Sequence, residues 1–225
     1  MHEKVQSRWD LLLLLSLLLV ILTYPVLDHG DIRRLILAAV LFAPAILATV
    51  RMSQIKARVW PLVALMSSAL IFAVSETIFP NRTFAGIKWG LLTVFFGFSV
   101  ACLFSYLKNS HFVSDAHLYT AVSIYLLIGM QWFALYSAFD VDRPGSILHN
   151  TSVATDRQTE LLYFSLVTLS TIGYGDVVPL NGEVRMLAVL EGITGVLYIA
   201  ITVALLVSAY KQQSSSNGSS EVTIR

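Results

Sequence analysis

The chain has 225 residues, of which 56% are hydrophobic and only 13% charged, with a mean hydropathy of +0.72. A soluble domain carries about 25% charged residues, so a water-soluble globule is excluded and an all-α integral membrane protein is expected. The net charge of +1 says nothing about partners, but no basic patch is present and no nucleic-acid partner is expected.

A helix that crosses a bilayer needs ~20 apolar residues. Six runs qualify in chain order: 11–27, 32–50, 59–79, 84–107, 117–139 and 184–210. Lys4 and Arg8 precede the first run, as in a signal peptide. The run continues to Leu27 without an Ala-x-Ala-like cleavage site, which reads as an uncleaved span. Asp28-His29-Gly30-Asp31 is a polar turn into the second span, and a short basic connection with Arg51, Lys56 and Arg58 leads to the third. Short loops make residues 1–110 a compact four-helix transmembrane unit.

A helix that senses voltage repeats Arg or Lys at every third position, because charge must move through the field. In the fourth run only Lys88 is basic, and the earlier runs carry no basic stripe. A voltage sensor is therefore not expected. Cys102, the single cysteine, lies in this run, excludes an intramolecular disulfide and reads as a small buried hydrophobe.

The segment 116–211 has a different grammar. A span is followed by a Ser/Thr/Asn-rich stretch with Pro144 and Gly145, read as an irregular outer turret over 140–158. The apolar run 161–169 is too short to cross and reads as a re-entrant half-helix, with Glu160 near its start, where a carboxylate suits the helix dipole. Then come Thr171, Ile172, Gly173, Tyr174, Gly175 and Asp176, followed by the last span. Irregular backbone at membrane depth is tolerated only where protein or a water-filled cavity surrounds it.

These six residues match the signature of the potassium channel family at every position, and the chain resembles that family closely over 160–179 and in outline over 117–210. The resemblance implies a homotetramer of six-span subunits, each adding a re-entrant pore helix and one filter strand to a central pore. It implies K+ coordinated by the carbonyls of Thr171, Ile172, Gly173 and Tyr174, with the Thr171 hydroxyl completing the innermost site. Gly173 and Gly175 supply backbone angles that a Cβ disfavours. Tyr174 stands where non-selective relatives often have Asp. Asp176 is expected to bond Tyr163 of the half-helix, whereas Val167 replaces the glutamate some members carry there. The layout looks like that of a voltage-gated channel without its charges.

In the last span, Glu191 is a carboxylate inside an apolar helix, which suggests function. It either supports the filter from behind or attracts ions. Gly195 falls 19 positions after Asp176, where relatives place a hinge glycine; it and Gly192 can equally serve close packing. Val196, Ile199, Val203 and Val207 recur at helical spacing and are candidates for a cavity wall or hydrophobic gate, or for lipid contact.

The outer turret and pore loop hold Asp140, Asp142, Asp156, Glu160, Asp176 and Glu183, either to concentrate cations or simply to be solvated. With both termini cytoplasmic, the inner side has Lys4, Arg8, Arg51, Lys56, Arg58, Lys108, Lys211 and Arg225 against Arg33, Arg34, Arg82, Lys88, Arg143, Arg157 and Arg185 outside. That near balance does not decide orientation, so it rests on the filter, in a plasma or bacterial inner membrane. The tail 212–225 is Ser/Gly/Gln-rich and reads as disordered. Histidines 2, 29, 111, 117 and 149 lack metal-ligand spacing, and no nucleophile–base pair is visible, so no enzyme activity and no cofactor beyond K+ is expected. The expected partners are the chain's own copies, lipid, K+ and a cytoplasmic regulator of unknown kind. Two rival readings stay open: a weakly selective cation channel, and a non-conducting membrane sensor or regulatory subunit that keeps a channel-like segment.

Overall fold

The computed structural model describes residues 2–23, 47, 56–79, 81–108, 115–145, 147–149 and 156–222. The described residues are helical apart from one small ribbon and short turns. The elements are α1 (His2–Thr23), α2 (Lys56–Ile78), α3 (Arg82–Lys108), α4 (Asp115–Asp142), β1 (Ile147–His149), α5 (Arg157–Leu169), β2 (Val177–Pro179) and α6 (Gly182–Val222).

Among the described residues three helices are long and apolar enough to cross a membrane: Arg82–Lys108, Ala116–Asp142 and Gly182–Lys211. The third expected span contributes a shorter apolar helix, Trp60–Glu76. Of the first span, α1 covers 11–23; the second, 32–50, lies outside the described residues except for Leu47. The coarse class stands as an all-helical membrane protein, with three such spans among the described residues.

α4 is the central post. Its buried residues point in several directions, from Ala121 and Ile124 through Leu127 and Met130 to Phe133 and Tyr136. α1, α3, α5 and α6 all pack on it. α1 offers Leu13, Leu17 and Val20, which recur on one helical face and are fully buried. α3 turns Trp89, Leu92, Phe96, Ser99 and Leu103 inward at three- and four-residue intervals, with Trp89 edge-on to Phe133 at 5.2 Å. α2 packs on α3 through Leu62 and Ala69.

Two expectations are corrected. The turret is not wholly irregular: β1 pairs antiparallel with β2, Ile147 opposite Pro179 and His149 opposite Val177. The β-branched pair Val177-Val178 suits such an extended partner. The tail also differs, since α6 continues through Val222. Propagating an existing helix costs little compared with nucleating one, so the polar residues after Lys211 extend it.

Candidate pore and filter

The half-helix is α5, one turn longer than the apolar run that announced it. Asp156 caps it, its carboxylate accepting from the Gln158 amide at 3.0 Å, while Glu160 sits buried in the first turn. Its far end is closed by Ser170, whose amide and hydroxyl both donate to the Leu166 carbonyl. The Thr171 amide donates to Thr168 and the Ile172 amide to Val167, so the last helical carbonyls pin the start of the filter segment.

From there the backbone alternates. Thr171, Gly173 and Gly175 have φ of +58°, +56° and +80°, whereas Ile172 and Tyr174 do not enter the positive range. Alternating handedness turns successive polar groups of the backbone to one side. Glycine tolerates this at two of the positions. Thr171 does not have that freedom, and left-handed backbone costs an L-residue about 1–2 kcal/mol. The bonds from the pore-helix end hold it there. All five residues from Thr171 to Gly175 are exposed in the single chain.

Behind this segment, Tyr163 donates to Asp176 Oδ2 at 2.7 Å, and the Tyr174 ring stacks on Tyr163, 6.5 Å between centroids and 8° from parallel. Asp176 Oδ1 also accepts from the Val177 amide at 3.0 Å. Val167 lies on the partly exposed side of α5, and Phe164 is buried edge-on against Tyr136 at 5.1 Å.

Glu191 is fully buried between three helices. Its Oε1 lies 2.6 Å from Ser165 Oγ on α5, and its Oε2 accepts from Tyr136 on α4 at 2.7 Å. Ser165 also donates to the Gly129 carbonyl at 2.9 Å. The structure therefore places Glu191 behind the pore helix, away from Thr171–Gly175.

Gly195 and the valine stripe separate. Val196, Ile199, Val203 and Val207 are about half exposed, whereas Gly195 is buried against the end of α5. A Cβ there would overlap the Leu169 carbonyl, its carbon only 3.1 Å away, so the close approach requires glycine. The Leu169 carbonyl also accepts from Tyr125 at 3.2 Å, and Tyr125 meets Tyr198 of α6 at 5.9 Å. Gly192 has ordinary room, with the Thr168 carbonyl oxygen 3.8 Å from its Cβ position.

Several of the outer acidic residues have basic partners, although Asp142 and Glu183 stay largely exposed. Arg157 makes a two-nitrogen fork to Asp140, with Nε to Oδ2 at 3.0 Å. Arg143 bonds Glu183 of α6, a hydrogen bond and then a charge that hold its guanidinium above the usual range. Arg82 of α3 donates to the Val141 carbonyl at 2.6 Å. The end of α4 thus gathers α3, α5 and α6 at the filter's outer level. Lys88, the lone basic residue of the fourth run, is paired with Glu76 of α2 at 2.6 Å and lies over the Trp89 ring.

Tyr125, Gly129, Tyr136 and Ser165 had not been singled out from sequence. Ser165 and Tyr136 lie 26 and 55 positions from Glu191, Tyr125 lies 44 from Leu169 and Gly129 lies 36 from Ser165, and no local spacing links them.

Comparison with known proteins agrees with this architecture. Residues 112–212 match the model of a family described as ion channel. A provisionally named potassium channel protein of Rhodopseudomonas palustris is 43% identical over 53 residues, 24% of this chain and 13% of its own length. Two pore potassium channel a of Oryza sativa subsp. japonica is 35% identical over 81 residues, 36% of this chain and 20% of its own. Human potassium voltage-gated channel subfamily A member 7 is 36% identical over 88 residues, 38% and 18% of the two chains. No solved structure matches. The chain spans a fifth or less of the length of these curated relatives. The matched region, which takes in α4, α5 and most of the apolar part of α6, is similar to an ion channel domain, and these relatives are all named as potassium channels.

Proposed function

We propose that the chain is the pore-forming subunit of a potassium-selective channel that assembles as a homotetramer and is not gated by membrane voltage. The observation that carries this reading is the filter segment itself. Thr171–Gly175 alternates in handedness, is braced behind by the Tyr163–Asp176 bond and is pinned at its base by the pore-helix end. Rings of such carbonyls from four copies would replace the hydration shell of K+.

Fourfold assembly is supported by what one chain leaves uncovered. The filter residues are exposed, and so are Ile193, Val196, Ile199 and Val203 of α6. An apolar surface of that extent asks for a partner or lipid. The absence of voltage gating is supported by Lys88, whose charge is already matched by Glu76. By this reading Gly173-Tyr174-Gly175 faces the outside, both termini are cytoplasmic, and the membrane is the plasma or bacterial inner membrane.

Purified protein in K+-loaded liposomes tests the proposal. K+ efflux far exceeding Na+ flux, with conductance flat in voltage, is the expected result. Equal K+ and Na+ permeability would leave a weakly selective cation channel instead, and silence in single-channel recording would leave a non-conducting subunit.

A further inference from the structure

Glu191 takes part in a row of three oxygen–oxygen contacts. Tyr136 Oη lies 2.7 Å from Glu191 Oε2, Glu191 Oε1 lies 2.6 Å from Ser165 Oγ, and Ser165 Oγ lies 2.9 Å from the Gly129 carbonyl oxygen. All three are hydrogen-bond distances, and each such bond needs one hydrogen between its oxygens. Tyr136 brings one, Ser165 brings one, and the carbonyl brings none. Two hydroxyl hydrogens cannot fill three contacts. If Ser165 turned its hydrogen to Glu191, its oxygen would face the Gly129 carbonyl with lone pairs opposed.

We infer that Glu191 is a neutral carboxylic acid whose own proton completes this ladder, making it a positioning residue that fastens the pore helix to α4 and α6 behind the filter. Tyr136 donates to Oε2, the Oε1 hydroxyl donates to Ser165, and Ser165 donates to the Gly129 carbonyl. Every hydrogen then has one acceptor, and the ladder crosses α6, α5 and α4 in turn.

The surroundings fit a neutral group. From α4 Glu191 faces the phenols of Tyr136 and Tyr125, and from α5 the Ser165 hydroxyl; no charged side chain acts on it among the described residues. A buried carboxylate without a cation is poorly compensated. An acid with a donor and an acceptor in reach is fully bonded.

The bracing role deepens the pore reading and rests on it; the protonation state does not. The test uses the full chain in lipid. An infrared difference spectrum, wild type minus E191Q at pH 7, should contain a protonated-carboxyl C=O stretch. E191Q retains an amide N–H for Ser165 and a carbonyl for Tyr136, so its K+/Na+ permeability ratio should stay within about twofold of wild type, whereas E191V, which takes the acceptor from Tyr136 and the donor from Ser165, should lose roughly tenfold. Carboxylate bands alone in the difference spectrum, or loss of selectivity in a folded E191Q tetramer, would overturn the inference. A wild-type protein that shows the acid band but passes no K+ would instead overturn the pore reading and leave the protonation state standing.

Discussion

α3 and α5 both lie against α4, yet they meet it by different means. The α3 contact is made of side-chain bulk, with Trp89 edge-on to Phe133 and Phe95, Phe96 and Leu103 buried around it. Such a contact holds by area and tolerates exchange of one apolar shape for another. The α5 contact adds directed bonds and bare backbone to its apolar packing: Ser165 to the Gly129 carbonyl, Tyr125 to the Leu169 carbonyl, and the Glu191 ladder. It holds by position, so a substitute there must keep each donor and acceptor in place. The amino-terminal helices form an apolar jacket, and the pore helices form a jig.

Glycine-to-alanine exchange is the sharpest way to break that distinction. G195A should abolish tetramer recovery and K+ flux, because its Cβ meets backbone that cannot rotate away; overpacking of this kind costs about 1–3 kcal/mol or more per subunit. G90A in α3, where nothing lies within 4 Å of the added carbon, should leave flux and thermal midpoint unchanged. Equal tolerance at both positions would erase the contrast.

The next effect in size is Y163F. It removes the hydroxyl that holds Asp176 and should cost about 1.5–3 kcal/mol where the acceptor is charged. Bi-ionic reversal potentials should report it as a several-fold loss of K+ over Na+, with little change in assembly. D140N should be milder. Loss of the part-buried fork to Arg157 is expected to cost about 1 kcal/mol and lower the thermal midpoint by a few degrees. K88Q should do least: an exposed or part-exposed pair contributes about 0–1 kcal/mol. The slope of conductance against voltage should not move. A changed slope would show that the jacket reports voltage to the jig.

How much of this was legible in the sequence follows the same division. The filter, the half-helix and the Tyr163–Asp176 pairing are encoded within twenty consecutive residues, 157–176, so their chemistry can be read as a string. Glu191 was conspicuous because a carboxylate in an apolar helix is rare, but its partners were not. Tyr136 and Ser165 look like ordinary members of an apolar span and a pore helix until the fold brings them together. Gly195 stood out only by its spacing, and spacing could not tell a bend from a close approach; the Leu169 carbonyl argues for the approach. The left-handed Thr171 had no signal, since its angle is imposed by bonds from α5. The amino-terminal region shows its spans and its lack of a charge stripe in sequence but not its packing, because side-chain bulk leaves no motif.

Gly195 against the Leu169 carbonyl has one more consequence. Most helix pairs touch through layers of side chains, and rotamer changes in those layers absorb small displacements. Between α6 and the end of α5 that cushioning is missing. In the proposed channel, a shift of the inner helix at this level would reach the base of the Thr171–Gly175 segment with little lost on the way, much as a bare metal joint transmits a tap that a rubber washer would damp.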